Sequence, residues 1–162
     1  MLPPKLIMVP IDFSEHSHGA LDVASEMAWR LGAELLLVYV VPAIPDLPDS
    51  VSILKEGEYD KSVDDAGAKQ LAELAATLAP KIKVRTVVGI ANDVGMELVR
   101  IAEQDHADLV IIATHGMTGW RNIAFGSVAK RVVEEADCPV LVLRAKAAKD
   151  ADAKDKAASS AA

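Results

Sequence analysis

Five short apolar runs, each separated from the next by a helical or polar stretch, constrain this chain more than any other feature. Leu6-Ile7-Met8-Val9-Pro10-Ile11 is the first and ends at Asp12. Leu35 to Val41, Ile82 to Val88, Leu109 to Ala113 and Val140 to Leu143 follow. In most of these runs the apolar side chains do not alternate with polar ones. A strand of that kind needs both faces covered, which is the pattern of a parallel sheet flanked by helices. The third run differs, because Lys83 and Arg85 alternate outward as they would on an edge strand.

The intervening stretches read as helices. Ser17 to Leu31 sets Ala20, Val23, Ala24, Met27 and Ala28 on one face, and Gly32 supplies the stop. Tyr59 to Leu78 sets Val63, Ala66, Leu71, Leu74 and Leu78 mostly to one side, and Pro80 ends it. Asp93 to Glu103 is a third helix with Asn92 or Asp93 as its cap. Ser127 to Glu135 is a fourth, with Ser127 as the natural N-cap. Strands that alternate with helices form βαβ crossovers, so the expected class is α/β, a single open five-stranded parallel sheet, doubly wound, with helices on both faces. Such sheets take ligands at the carboxyl ends of their strands, where the strand order reverses.

Two segments fall outside that rhythm. Pro42 to Glu58 carries Pro42, Pro45, Pro48 and Gly57 without a period, and reads as a variable surface loop or as a lid or contact surface. Residues 145–162 contain only Ala, Lys, Asp and Ser, and no large apolar side chain follows Leu143. Such a tail buries too little to offset its ordering entropy and is expected to be disordered, leaving 1–144 as one domain.

Composition excludes some classes. Aromatic residues are only 4% of the chain, so the core must rest on Val, Ile, Leu and Ala. A net charge of −7 argues against general nucleic-acid binding, which needs a basic face. It leaves room for a single nucleotide, whose phosphates backbone N–H groups can hold. One cysteine, Cys138, allows no internal disulfide and no thiolate cluster. No apolar run approaches the roughly 18 residues that span a bilayer, and no cleavage pattern follows the first run. The expected setting is cytoplasmic, with no membrane contact.

The segment with chemical content runs from Ala113-Thr114-His115-Gly116 through Gly119 to Gly126-Ser127. It leaves a buried strand and opens a helix. Gly116 and Gly119 let the backbone approach a ligand or simply turn the chain. The N–H groups of Ser127, Val128 and Ala129 precede the first helical hydrogen bond and favour an anion. No Gly-Lys-Ser/Thr triplet is present, so this is not a Walker loop, and it does not follow the first strand as a dinucleotide fingerprint does. Asp12, at the carboxyl end of the first run, either accepts from a ribose hydroxyl or an adenine amino group or, like Ser14, caps the first helix. His16 and His18 do not share a helix face, and His106 lies in a polar loop. Cys138 before Pro139 reads as a small hydrophobe at a strand entry.

Pro10-Ile11-Asp12-Phe13-Ser14, Ala113-Thr114-His115-Gly116 followed after nine residues by Gly126-Ser127, and the ending Cys138-Pro139-Val140-Leu141-Val142-Leu143 together resemble the universal stress proteins. The resemblance covers roughly residues 5 to 144. It implies a Rossmann-like sheet of strand order 3-2-1-4-5 and membership of the family's ATP-binding branch. It also implies a homodimer paired through Val140–Leu143, acting in stress response or signalling. Carried over, Pro10, Ile11, Asp12 and Val40 face the adenosine. Gly116, Gly126, Ser127 and Val128 face the ribose and phosphates of ATP with Mg2+, and Ile112 and Ala113 line the site. Two positions depart from the pattern: Ala113 stands for its first glycine, and Met117 stands where many members carry a basic residue, with Arg121 or Lys130 as substitutes. Any hydrolysis would be slow, since no arginine finger, paired carboxylates or kinase motif is present. Other outcomes are a slow ATPase or phosphotransferase, a nucleotide-free chaperone-like dimer, or a binder of AMP or a cyclic nucleotide.

Overall fold

The computed structural model describes residues 3–43, 56–78, 80–114 and 126–144. Their order is β1 (Leu6–Pro10), α1 (Glu15–Leu31), β2 (Glu34–Pro42), α2 (Glu56–Leu78), β3 (Val84–Ala91), α3 (Val94–Gln104), β4 (Leu109–Ala113), α4 (Ser127–Glu135) and β5 (Val140–Leu143). All five strands are parallel and lie in the order β3-β2-β1-β4-β5, as expected.

The non-alternating runs are explained by two separate cores, one on each face of the sheet. Leu6, Met8, Leu36, Val38, Val110 and Ile112 face α3 and α4, meeting Leu98, Ile101, Ala129 and Val132. Their neighbours Ile7, Val9, Leu35, Leu37 and Ile111 point the other way, against Ala20, Leu21, Ala24 and Ala28 of α1 and Leu71 of α2. Successive strand side chains go to opposite faces, and both faces are covered, so every position is apolar. Ala20, Ala24 and Ala28 are fully buried, and their small side chains let α1 lie close to the sheet.

The helix ends follow their local chemistry. Ser14 caps α1, its side chain accepting from the Ser17 N–H. Gly32 closes that helix at φ +67°, a left-handed conformation that costs glycine least. Of the two candidates for α3, Asp93 is the cap and accepts from the Met96 N–H.

Several sequence expectations are corrected. On α1 the buried stripe runs through Leu21, whereas Val23 is exposed, because the helix is rotated to seat its alanines on the sheet. Ala66 of α2 is exposed while Leu71 is fully buried. The third strand begins at Val84, later than Ile82. Helix α2 begins at Glu56, inside the stretch read as loop. The cap of α4 is Gly126, with Ser127 as the first helical residue, and no side chain caps that end. Of the segment 42–58, residues 44–55 lie outside the described residues, as does the tail 145–162.

At the amino edge of the sheet Asp108 clips the two central strands together. Its Oδ2 accepts from the N–H groups of Lys5 (2.8 Å) and Leu6 (2.9 Å), and its own N–H donates to the Leu6 carbonyl (3.0 Å). The Leu6 and Lys5 donors hold the Asp108 carboxyl below its ordinary 3.8. A depressed value means that the carboxylate stabilises the fold above the ordinary pKa. The contribution is lost as pH falls through the lower folded-state value. Asp108→Ala is therefore expected to lower the urea midpoint at neutral pH and to cost progressively less in acid below 3.8. An equal loss at both ends of that range would contradict the assignment.

Candidate functional site at the carboxyl edge of the sheet

From β1 the chain moves outward through β2 to β3, then returns to β4 beside β1 and continues to β5. The order reverses between β1 and β4, and an open sheet has its crevice there. Pro10 widens it. The Ile11 N–H donates to the Val38 carbonyl of β2 (2.7 Å), so by the two-residue alternation of a strand position 10 faces β4. Proline has no N–H to give on that side. The register between β1 and β4 pairs Ile7 with Leu109 and Met8 with Val110, whereas β1 and β2 stay paired as far as Pro10.

Past Pro10 the chain turns sharply. Asp12 Oδ1 accepts from the Ser14 N–H (3.1 Å) and from Ser14 Oγ (2.6 Å), and Ser14 Oγ accepts in turn from the Ser17 N–H (3.2 Å). Ser14 is therefore the cap of α1, and its two bonds orient Asp12 at the carboxyl end of β1. Between them Phe13 takes φ +61°, unusual for an aromatic residue. Its ring lies 4.9 Å from that of Tyr39 on β2, tilted by 59°. The Tyr39 ring in turn fills the space above Gly67 of α2, where a Cβ would stand 2.3 Å from its Cε1.

The other wall is the end of β4 and the start of α4. The Thr114 N–H donates to the Leu143 carbonyl of β5 (2.9 Å), and the same alternation turns Ala113 toward β1. The Gly126 N–H donates to the Thr114 carbonyl (2.8 Å), closing the segment between them. A Cβ on Gly126 would stand 2.9 Å from that carbonyl oxygen, so a side chain there would force the two backbones apart. Because φ at Gly126 is −65°, the requirement is for space and not for a left-handed backbone.

The first helical bond of α4 runs from the Lys130 N–H to the Gly126 carbonyl (2.9 Å). The N–H groups of Ser127, Val128 and Ala129 therefore have no acceptor within the helix. No acidic residue lies in the first turn, so nothing there competes with an incoming anion. Lys130, one of the two cations proposed to replace a basic residue at 117, is exposed and lies 3.7 Å from Glu134. So loose a surface pair holds it only weakly.

The structure thus brings Pro10, Ile11, Asp12, Val40, Ile112, Ala113, Gly126, Ser127 and Val128 to one edge of the sheet. Val40, Ile112 and Val128 share one apolar cluster there, while Ile11 and Ala113 belong to the other. Gly116, together with His115, Met117, Gly119 and Arg121, lies outside the described residues. Phe13 and Thr114, which the sequence offered only as members of the two motifs, also stand at this edge. The apolar run before Thr114 marks it as a strand end. Nothing local marks Phe13, whose backbone is held by a ring from another strand.

Fold and site define an α/β protein with an open parallel sheet and a helix N-terminus facing the crevice at the sheet's switch point. Residues 4–144 match the profile described as the universal stress protein family. The chain belongs to that family. Among curated relatives, universal stress protein MJ0531 of Methanocaldococcus jannaschii is 34% identical over 142 residues, 86% of this chain and 82% of the relative. MJ0577 of the same organism is 28% identical over 158 residues. Its solved structure superposes with a TM-score of 0.77 at 25% identity, covering 90% of this chain and 99% of that one. A universal stress protein from Archaeoglobus fulgidus, solved in complex with dAMP, shares the fold at 20% identity and a TM-score of 0.59. That match covers 88% of this chain and 98% of the other.

Proposed function

We propose that this chain binds an adenine nucleotide, ATP with Mg2+, in the crevice between β1 and β4. One observation carries the reading: the glycine-capped start of α4 meets the end of β4 at a distance that tolerates no side chain and leaves three N–H groups without helical acceptors. Those groups, on Ser127, Val128 and Ala129, would take the phosphates, with the Ser127 hydroxyl as a further donor. Asp12, already oriented by Ser14, would accept from the ribose or the adenine amino group. Val40, Ile112 and the Pro10-Ile11 pair would supply apolar walls for the base, and Ala113 and Gly116 the rest of the lining. The dAMP complex of the Archaeoglobus fulgidus relative supports an adenine nucleotide as the ligand class on a sheet of this kind.

The nucleotide itself supplies the negative charge that the helix terminus collects, and Mg2+ would neutralise part of it. On this reading the protein is a nucleotide-dependent stress-response or signalling factor, hydrolysing ATP slowly at most. It pairs as a homodimer through β5, whose four apolar residues are only half-buried at the sheet edge. Such an edge invites a second strand. Isothermal titration calorimetry with Mg·ATP checks the central claim. Saturable binding is expected, and its absence from the purified full chain would overturn the reading.

A further inference from the structure

At the amino edge of the sheet, remote from the crevice, lies a concavity of about 290 Å3 lined by Lys5, Ala28, Trp29, Gly32, Ala33, Glu34, Lys81, Ile82 and Lys83. Beneath it Ala28, Ala33 and Ile82 are buried and Gly32 carries no side chain, so the apolar surface open at this edge is chiefly that of Trp29. Trp29 stands beside it, 65% exposed, more than any other large apolar residue among the described residues. Leu31, at the end of the same helix, is 44% exposed. Indole surface of that extent at the end of a well-packed helix contributes nothing to the core.

The rim carries three lysines and one carboxylate. That carboxylate, Glu34, is shared: it accepts from Lys83 Nζ at 2.7 Å and from Arg85 Nε at 2.5 Å. The three lysines outnumber the two carboxylates at this edge, Glu34 and the Asp108 beside Lys5, on a chain whose net charge is −7. Lys81 makes no ion pair among the described residues, whereas Lys5 lies near the Asp108 carboxylate. A local cationic rim on an acidic protein draws in a short acidic segment. The overall charge repels extended polyanions.

We propose that this concavity docks an acidic peptide segment of a partner protein. One apolar side chain of the segment lies against the exposed Trp29 ring, and flanking carboxylates meet Lys81, Lys83 and Lys5. A tryptophan that a partner can cover, with charges around it, is the kind of anchor that concentrates binding energy at protein interfaces. The volume holds a side chain or two, which suits a linear segment better than a domain.

The chain has two tryptophans, so Trp120→Phe leaves Trp29 as the sole reporter. Titrating that variant with a short synthetic peptide, one phenylalanine flanked on both sides by glutamates, is expected to shift Trp29 emission saturably at low salt. Lys81→Glu in the same background should weaken binding by about tenfold or more, equivalent to about 1.4 kcal/mol. Trp29→Ala, followed by calorimetry, should lose at least as much. Because both side chains are exposed, circular dichroism should be unchanged in either variant. The proposal fails if no saturable shift occurs, or if a glutamine-flanked peptide binds equally well. It fails as well if phosphatidylglycerol vesicles shift Trp29 emission and the peptide does not, since the surface is then a lipid site. If Trp29→Ala changes the sedimentation of the protein alone, a second copy covers this face and the proposal is again overturned.

Discussion

Gly126→Val is expected to weaken Mg·ATP binding by at least about a hundredfold while leaving a cooperative unfolding transition. The reason is a single contact. A Cβ on residue 126 would stand 2.9 Å from the Thr114 carbonyl oxygen, and both partners are backbone, so neither can rotate out of the way. The Gly126 N–H bond to that oxygen must lengthen or break, and the start of α4 must move from the end of β4. The N–H groups of Ser127 and Val128 then point past the phosphates they are proposed to hold. Losing two hydrogen bonds to a charged group, each about 1.5–3 kcal/mol, amounts to about 3–6 kcal/mol. At 1.4 kcal/mol per tenfold, that is a hundredfold or more. Gly126→Ala should act in the same direction, because its methyl meets the same oxygen. Calorimetry on the variants and the parent checks this. Parent-like affinity in a folded Gly126→Val protein would show that the close approach does not position the helix. No binding by the parent would remove the nucleotide reading altogether.

Leu37→Ala should carry the largest stability loss of a simple truncation, about 2–5 kcal/mol, read as a fall in the urea midpoint at unchanged slope. Leu37 sits on β2 in register with Val9 of β1 and Thr86 of β3, and it is fully buried. Its side chain packs in the cluster formed with the alanine stripe of α1 and with Leu71 of α2. Truncation leaves a cavity that a sheet hydrogen-bonded on both sides of β2 cannot collapse to fill. Leu31→Ala on the same face of the protein is the control. Leu31 is 44% exposed at the end of α1 and should change stability by no more than about 0.5 kcal/mol. Equal effects of the two substitutions would mean that the core is not organised as described.

The strand runs were legible because burial on two faces writes itself into the chain as uninterrupted apolar residues, and four of the five runs carried it. The third run was read two residues early. Ile82 is buried like a strand residue, but it belongs to the turn before β3, where its N–H donates to the Leu78 carbonyl at 3.2 Å. Helix faces were harder to read. The periodicity that favoured Val23 over Leu21 in α1 cannot register how far the helix is rotated on the sheet. Its buried alanines fix that rotation, and alanine is apolar on either side of a helix. Ser127 has the chemistry of an N-cap but is the first helical residue, because the closeness of Thr114 admits only glycine at the cap position.

By itself the sequence determined the class of fold, the parallel sheet and the edge of that sheet where the strand order reverses. Hydrophobic patterning, helix stops and the position of glycines along the chain are local properties, and each residue carries its share of them. Only the tertiary structure decided what shapes the crevice. The missing N–H of Pro10 matters because β4 lies beside it, and the left-handed Phe13 exists because Tyr39 packs against its ring. Gly126 is required because a carbonyl twelve residues earlier in the chain lies against it. The same holds for the cationic rim around Trp29, whose lysines come from two separate segments, Lys5 before β1 and Lys81 and Lys83 between α2 and β3. Those are contacts between segments distant in the chain, and no window of neighbouring residues contains them.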